Sequence, residues 1–134
     1  MTDTSVIPLL VIGAGPVGLA TGLAAKRAGL ACVLLDRGTV VSAIERYPLG
    51  MTFFSTPERL EIGGVPFVTA TEKPSRREGL IYYRRVAEMF GLDVRVREEV
   101  TELRRATDGT FTVQVRRPHD TIRPRIRHNR EDTG

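Results

Sequence analysis

Gly13, Gly15 and Gly18 stand at the spacing G-x-G-x-x-G, and Asp36 follows Gly18 by 18 residues. Residues of these types in this order could grip a nucleotide diphosphate and the sugar attached to it. Gly13 permits a tight turn that a Cβ would obstruct. Gly15 lets the backbone come close to a pyrophosphate, and Gly18 lets a following helix lie against a sheet. Pro16 and Val17 complete the turn into that helix. The N–H groups freed at its start, at the positive end of the helix dipole, would hold the diphosphate. Asp36 is spaced to accept hydrogen bonds from ribose hydroxyls.

The elements that must position these residues are legible around them. Residues 6–36 read VIPLLVIGAGPVGLATGLAAKRAGLACVLLD. The pattern predicts a strand over 9–12, the glycine turn, a helix of small residues, and an apolar strand over 31–35 that ends at Asp36. A bare G-x-G-x-x-G says little. With a strand before it, a helix after it and an acid closing the next strand, it points to dinucleotide binding. The competing reading is an ordinary glycine-bearing strand–helix turn.

The chain has 134 residues, 41% hydrophobic and 27% charged, which suits one globular domain with a core. Residues 5–25 carry no charge, but four glycines and two prolines interrupt them and no basic segment precedes them. They read as a buried strand and a packed helix, not a membrane span or signal peptide. Without a targeting segment, a cytoplasmic location is expected. Cys32 is the one cysteine, so the sequence holds no internal disulfide, no C-x-x-C pair and no cysteine zinc cluster, and no metal site is expected. At the start of the second strand it reads as a buried structural thiol. Of the net charge of +4, the tail from 116 to 134 holds +3, with six Arg against three acids. The basic balance lies in a tail without aromatic interleaving, which argues against nucleic acid as a partner.

Beyond Asp36 come Arg37 and Gly38, then an irregular stretch over 44–66 with three prolines, three glycines and the adjacent Phe53 and Phe54. A loop that long is usually functional or mobile. Ser75-Arg76-Arg77-Glu78 has the form of a capping box and starts a helix. Leu80, Tyr83, Ala87 and Phe90 give it an apolar face, and Gly91 closes it as a C′ glycine. Residues 92–96 read as a third parallel strand, and the β-α-β-α-β order favours a doubly wound sheet. Residues 100–106 and 110–115 form a hairpin around Asp108-Gly109, a type I′ turn signal. Such a layer needs a third strand. Residues 116–134 show no periodicity and read as a disordered basic tail, and residues 1–5 as a polar leader.

The chain resembles the N-terminal flavin-binding part of thioredoxin-reductase-like flavoproteins, within them the bacillithiol-disulfide-reductase-like family of FAD-dependent, NADPH-using oxidoreductases. The resemblance runs over about residues 7–115. It is carried by VIGAGPVGLA, LLDRG, YPLGMTFFSTPERLEIGGVPF, KPSRREGLIYYRRVAEMFGLDVRV and EEV. It implies an α/β, Rossmann-like FAD/NAD(P)-binding domain of parallel sheet plus β-hairpin. It implies that Gly13, Gly15, Pro16, Val17 and Gly18 wrap the FAD diphosphate. Asp36 would hold the adenosine ribose beside Arg37 and Gly38, and Val100 would present its backbone to the adenine. The 51–56 segment would lie near the isoalloxazine, with Thr52, Ser55 and Thr56 beside it and Ser55 or Thr56 donating to the flavin edge.

Two departures qualify what carries over. Many members have a cysteine, implicated in disulfide reduction, where this chain has Val17, and valine forms no mixed disulfide. No catalytic residue is therefore assigned. Members are also more than twice as long, continuing into an A-T-G-type strand and an NADPH domain. The Arg-rich tail matches nothing in them, so the expected domain is incomplete: a truncated or frame-shifted product, FAD-binding but lacking the NADPH site and with little turnover alone. Two other readings stand beside it. One is an NAD(P)-binding module of a dehydrogenase, where the acid disfavours a 2′-phosphate. The other is a non-catalytic remnant or partner-binding module, with an unpaired edge at the 110–115 strand.

Overall fold

The computed structural model describes residues 6–118 and the backbone of 128–132. Three parallel strands, β1 (Leu9–Ile12), β2 (Cys32–Leu35) and β3 (Asp93–Arg95), form a sheet of order β1-β2-β3. Leu9 pairs with Cys32 and Val33 with Asp93. Helix α1 (Pro16–Arg27) joins β1 to β2. The connection from β2 to β3 carries two single-turn helices, α2 (Ser42–Glu45) and α3 (Pro57–Leu60), and then α4 (Arg76–Met89).

Both long helices end in the way their glycines dictate. After α4, Gly91 takes a φ of +57°, its N–H bonds the Glu88 carbonyl, and the Leu92 N–H reaches back to Ala87. Gly29 does the same for α1, at a φ of +70° with Leu30 reaching Ala25. These are Schellman endings, which satisfy carbonyls the helix leaves open. The capping box of α4 is present: the Glu78 N–H donates to Ser75 Oγ, and the Ser75 N–H donates to the Glu78 carboxylate at 3.0 Å.

Successive residues of a strand point to opposite faces of its sheet. Leu34 therefore joins Leu19 and Leu23 of α1 and Leu80, Tyr83 and Val86 of α4 in the larger core. Val33 and Leu35 point the other way, where Val113 and Val115 cover them. Those valines belong to an antiparallel sheet of β4 (Glu99–Arg105), β5 (Phe111–Arg116) and β6 (His128–Asp132). The fold is thus helices, parallel sheet and antiparallel sheet in three layers. The doubly wound expectation fails on the second face, which strands cover instead of helices.

The tail expectation also changes. β5 runs through Arg116, and residues 128–132 pair antiparallel with it, Val115 opposite His128 and Phe111 opposite Asp132. The β5 edge expected to be free is therefore occupied. His128-Asn129-Arg130-Glu131-Asp132 has no apolar alternation to announce a strand; an open row of backbone donors and acceptors on β5 suffices to pair it. Residues 119–127 and 133–134 of the expected tail, and the leader, lie outside the described residues. The hairpin turn differs in type. A type I′ turn needs positive φ at both central residues, whereas Gly109 (φ +87°) has it and Asp108 does not. The Gly109 N–H bonds the Ala106 carbonyl, and Asp108 Oδ1 accepts from the Thr110 N–H and hydroxyl at 2.9 and 2.6 Å. The aspartate side chain, as in an Asx turn, organises the loop.

Candidate functional site: a glycine turn and an aspartate at the strand ends

The carboxyl ends of β1 and β2 meet at the glycine turn. Gly13 has a φ of +111° and donates its N–H to the Leu35 carbonyl at 2.7 Å, which ties the turn to the last residue of β2. Gly18 fills its expected role. A Cβ there would come closer than 3.0 Å to the Gly13 carbonyl oxygen, so α1 sits against the turn only because none exists. Gly22, one turn on, does likewise against Leu34 Cδ1 at 2.9 Å, a helix–sheet contact the motif reading passed over. At Gly15 a Cβ would meet nothing within 4 Å. That open face is where a ligand's phosphates could approach the backbone. Gly15 is also the N-cap of α1 and places no side chain on the helix's first-turn N–H groups; Pro16 occupies the first turn with no N–H of its own. Val17 is 81% exposed at this same end.

Asp36 lies directly after β2, half-buried. Its Oδ2 accepts the Ala14 N–H at 2.7 Å and its Oδ1 accepts the Gly38 N–H at 2.7 Å. An ionised carboxylate has about four lone-pair sites, so two such bonds leave capacity for sugar hydroxyls. The Asp36 carbonyl accepts from Glu98 and the Gly38 carbonyl from Arg97, both at 2.9 Å. Arg97 adopts a φ of +55° in this turn between β3 and β4. Val100 follows two residues after Glu98 on β4, paired with Val115. Glu98 is buried and ion-paired with Arg117 at 2.9 Å. Arg37 is exposed beside Asp36.

The structure therefore brings together Gly13, Gly15, Pro16, Val17, Gly18, Asp36, Arg37 and Gly38, with the strand carrying Val100 joined to them through Glu98. It places Thr52 elsewhere, against the N-cap residue of α4, and Ser55 and Thr56 at the start of α3. Thr52 bridges to Ser75, the Phe53 N–H donates to Pro74, and the Arg76 N–H donates to Met51. The Phe53 ring lies over Gly79, where a Cβ would come within 2.7 Å of it, and packs edge-on to Tyr47. Phe54 is 95% exposed. Thr56 caps α3, whose Pro57 is its first residue, and Ser55 is half-buried beside it. Sequence reasoning had no signal for Ala14 and Val41. Val41 is buried at a φ of +53°, a conformation costly for a β-branched residue, and its N–H donates to the Ala14 carbonyl at 2.9 Å.

The family model for pyridine nucleotide-disulphide oxidoreductases matches residues 10–123. The chain belongs to that family. Over 77 residues it is 44% identical to bacilliredoxin reductase Bdr of Bacillus subtilis (strain 168), covering 58% of this chain and 24% of that one. The solved bacillithiol disulfide reductase Bdr (YpdA) from Bacillus cereus superposes with a TM-score of 0.85 at 30% identity, over 98% of this chain and 38% of that one. Its counterpart from Staphylococcus aureus gives 0.81 at 31%, over 95% and 36%. The chain thus spans about a quarter of the curated relative and under two fifths of the solved ones. Among the described residues no helix is long and apolar enough to cross a membrane, and no group of three or more His, Cys, Asp or Glu side chains could hold a metal ion.

Proposed function

We propose that this chain binds FAD as the flavin-nucleotide portion of an NADPH-using oxidoreductase, in the cytoplasm. The observation that carries the reading is the open backbone at Gly15 above the uncapped first turn of α1, with the Asp36 carboxylate 2.7 Å from the neighbouring Ala14 amide. The Gly15, Val17 and Gly18 amides would hold the diphosphate, Asp36 the ribose hydroxyls, and the Arg37–Gly38 and Val100 backbone would flank the adenine. Thr52, Ser55 and Thr56 would serve the isoalloxazine end, with Thr52 held at the entry to α4 by its bridge to Ser75. Bound there, FAD supplies a two-electron acceptor for hydride and a donor to a disulfide or other acceptor. Val17 offers no thiol at the head of α1, so the chain itself supplies no disulfide-exchanging nucleophile there.

The test is titration of flavin-free protein with FAD, FMN and NAD+ in parallel, followed by absorbance and calorimetry. FAD is expected to bind and FMN to fail, because the contacts lie on the adenosine and diphosphate, which FMN lacks. Binding of NAD+ without FAD would favour a nicotinamide module, and binding of none would remove the nucleotide assignment.

A further inference from the structure

We infer that Asp36 is the positioning residue for the glycine turn as well as a sugar ligand: its carboxylate holds the Ala14 peptide and fixes the phosphate-facing amides before any nucleotide arrives. The inference rests on the nucleotide reading for its ligand, but its geometry is independent of it.

The Ala14 peptide is clamped at both polar groups. Its N–H is held by Asp36 Oδ2 at 2.7 Å, across 22 residues of sequence, and its carbonyl by the Val41 N–H at 2.9 Å. Val41 sits in the left-handed region at a φ of +53° to make that bond. Strain at such a residue persists only where its surroundings over-determine it. Asp36 is itself immobilised: its N–H donates to Arg95, its carbonyl accepts from Glu98, and its Oδ1 accepts from Gly38. A rigid carboxylate therefore grips the residue between Gly13 and Gly15, and the bond to an ionised acceptor is of the stronger kind. Two consequences follow. The Ala14 amide is withheld from the diphosphate, which is left to Gly15, Val17 and Gly18. Loss of the carboxylate also weakens binding of the diphosphate even where no sugar hydroxyl is present to be gripped.

The test uses Asp36→Ala and Asp36→Asn in the full chain. Asparagine keeps one acceptor oxygen and turns an NH2 group toward the second amide. In ligand-free protein, the Ala14 and Gly38 amides should exchange with solvent at least about tenfold faster in Asp36→Ala, and one of them in Asp36→Asn, as loss of a hydrogen bond to a charged group requires. Unchanged exchange in the variants overturns the inference, and Asp36→Asn decides it if Asp36→Ala does not fold. The second arm titrates ADP and 2′,3′-dideoxy-ADP. A residue that only grips the sugar loses its effect when the hydroxyls are gone. A residue that sets the turn still costs about tenfold in affinity for the dideoxy nucleotide. Equal affinity of wild type and variants for 2′,3′-dideoxy-ADP overturns the inference. Failure of the wild type to bind ADP removes the nucleotide reading, while the exchange rates still decide whether the carboxylate holds the turn.

Discussion

Replacing Gly18 with alanine tests the contact on which the site's shape depends. The added methyl would lie closer than 3.0 Å to the Gly13 carbonyl oxygen, 3.1 Å from its carbon and 3.4 Å from Val11 Cγ1. The obstructing carbonyl is backbone, and its residue is held to Leu35 by a 2.7 Å hydrogen bond. Relief must come from α1 moving away from β1, which opens the fully buried Leu19 and Leu23. Overpacking of this kind costs roughly 1–3 kcal/mol, and an immovable obstacle puts the cost at about 3. The better helix propensity of alanine returns up to about 1 kcal/mol. The net loss should be about 2 kcal/mol, a fall in Tm of roughly 6–10 °C. Gly22→Ala is the internal control. Its methyl meets Leu34 Cδ1, the end of a side chain, at 2.9 Å, so its cost should stay within about 1 kcal/mol. Urea denaturation of both variants measures the difference. A Gly18→Ala protein as stable as wild type, or more stable than Gly22→Ala, would refute the packing argument.

Three further outcomes are expected. Ser75→Ala removes the Oγ that accepts the Glu78 N–H and should lower stability by about 1 kcal/mol in urea titration; no change would mean that water replaces the cap. Burial, and then neighbouring Tyr82, push the Tyr83 phenol from 10.0 up to about 12. A raised folded pKa gives stability that is whole below pH 10 and is lost as pH climbs toward 12. The denaturation midpoint should drop across that window, less steeply in Tyr83→Phe, and an equally steep fall in that variant would discount Tyr83. Burial first, and the Asp93 carboxylate second, raise the Cys32 thiol pKa. At about pH 8 it should react with a disulfide reagent more slowly than free cysteine, and Asp93→Asn should speed it; reaction at the free rate would contradict the placement.

What could be read from the chain was what neighbours in sequence decide. The capping box at Ser75, the glycine ending at Gly91 and the close approach at Gly18 each follow from residues a few positions apart, and all are present. The partner of the sheet's second face was hidden because Val33, Leu34 and Leu35 are apolar without alternation. A strand buried on both faces reads the same whether helices or strands cover it. The antiparallel layer that covers Val33 and Leu35 declares only its own inward residues, Val113 and Val115. β6 was illegible because its pairing with β5 uses backbone groups that every residue carries. Asp108-Gly109 signalled a turn correctly but not its type, since the Asp108 carboxylate, by binding Thr110, selects a different loop. In the candidate site, Asp36 was singled out by its spacing. Its grip on Ala14 was not, because a hydrogen bond across 22 residues leaves no local signature.

The anchorage of the 51–53 segment has a dynamic corollary. Its backbone is stitched to Pro74, Ser75 and Arg76, the residues through which the chain enters α4, while the Phe53 ring rests on Gly79 one turn further in. Fraying of that entry, the commonest fluctuation of any helix, would release the loop with it. The two stretches should then open and close as a single cooperative unit, with matched protection against deuterium uptake.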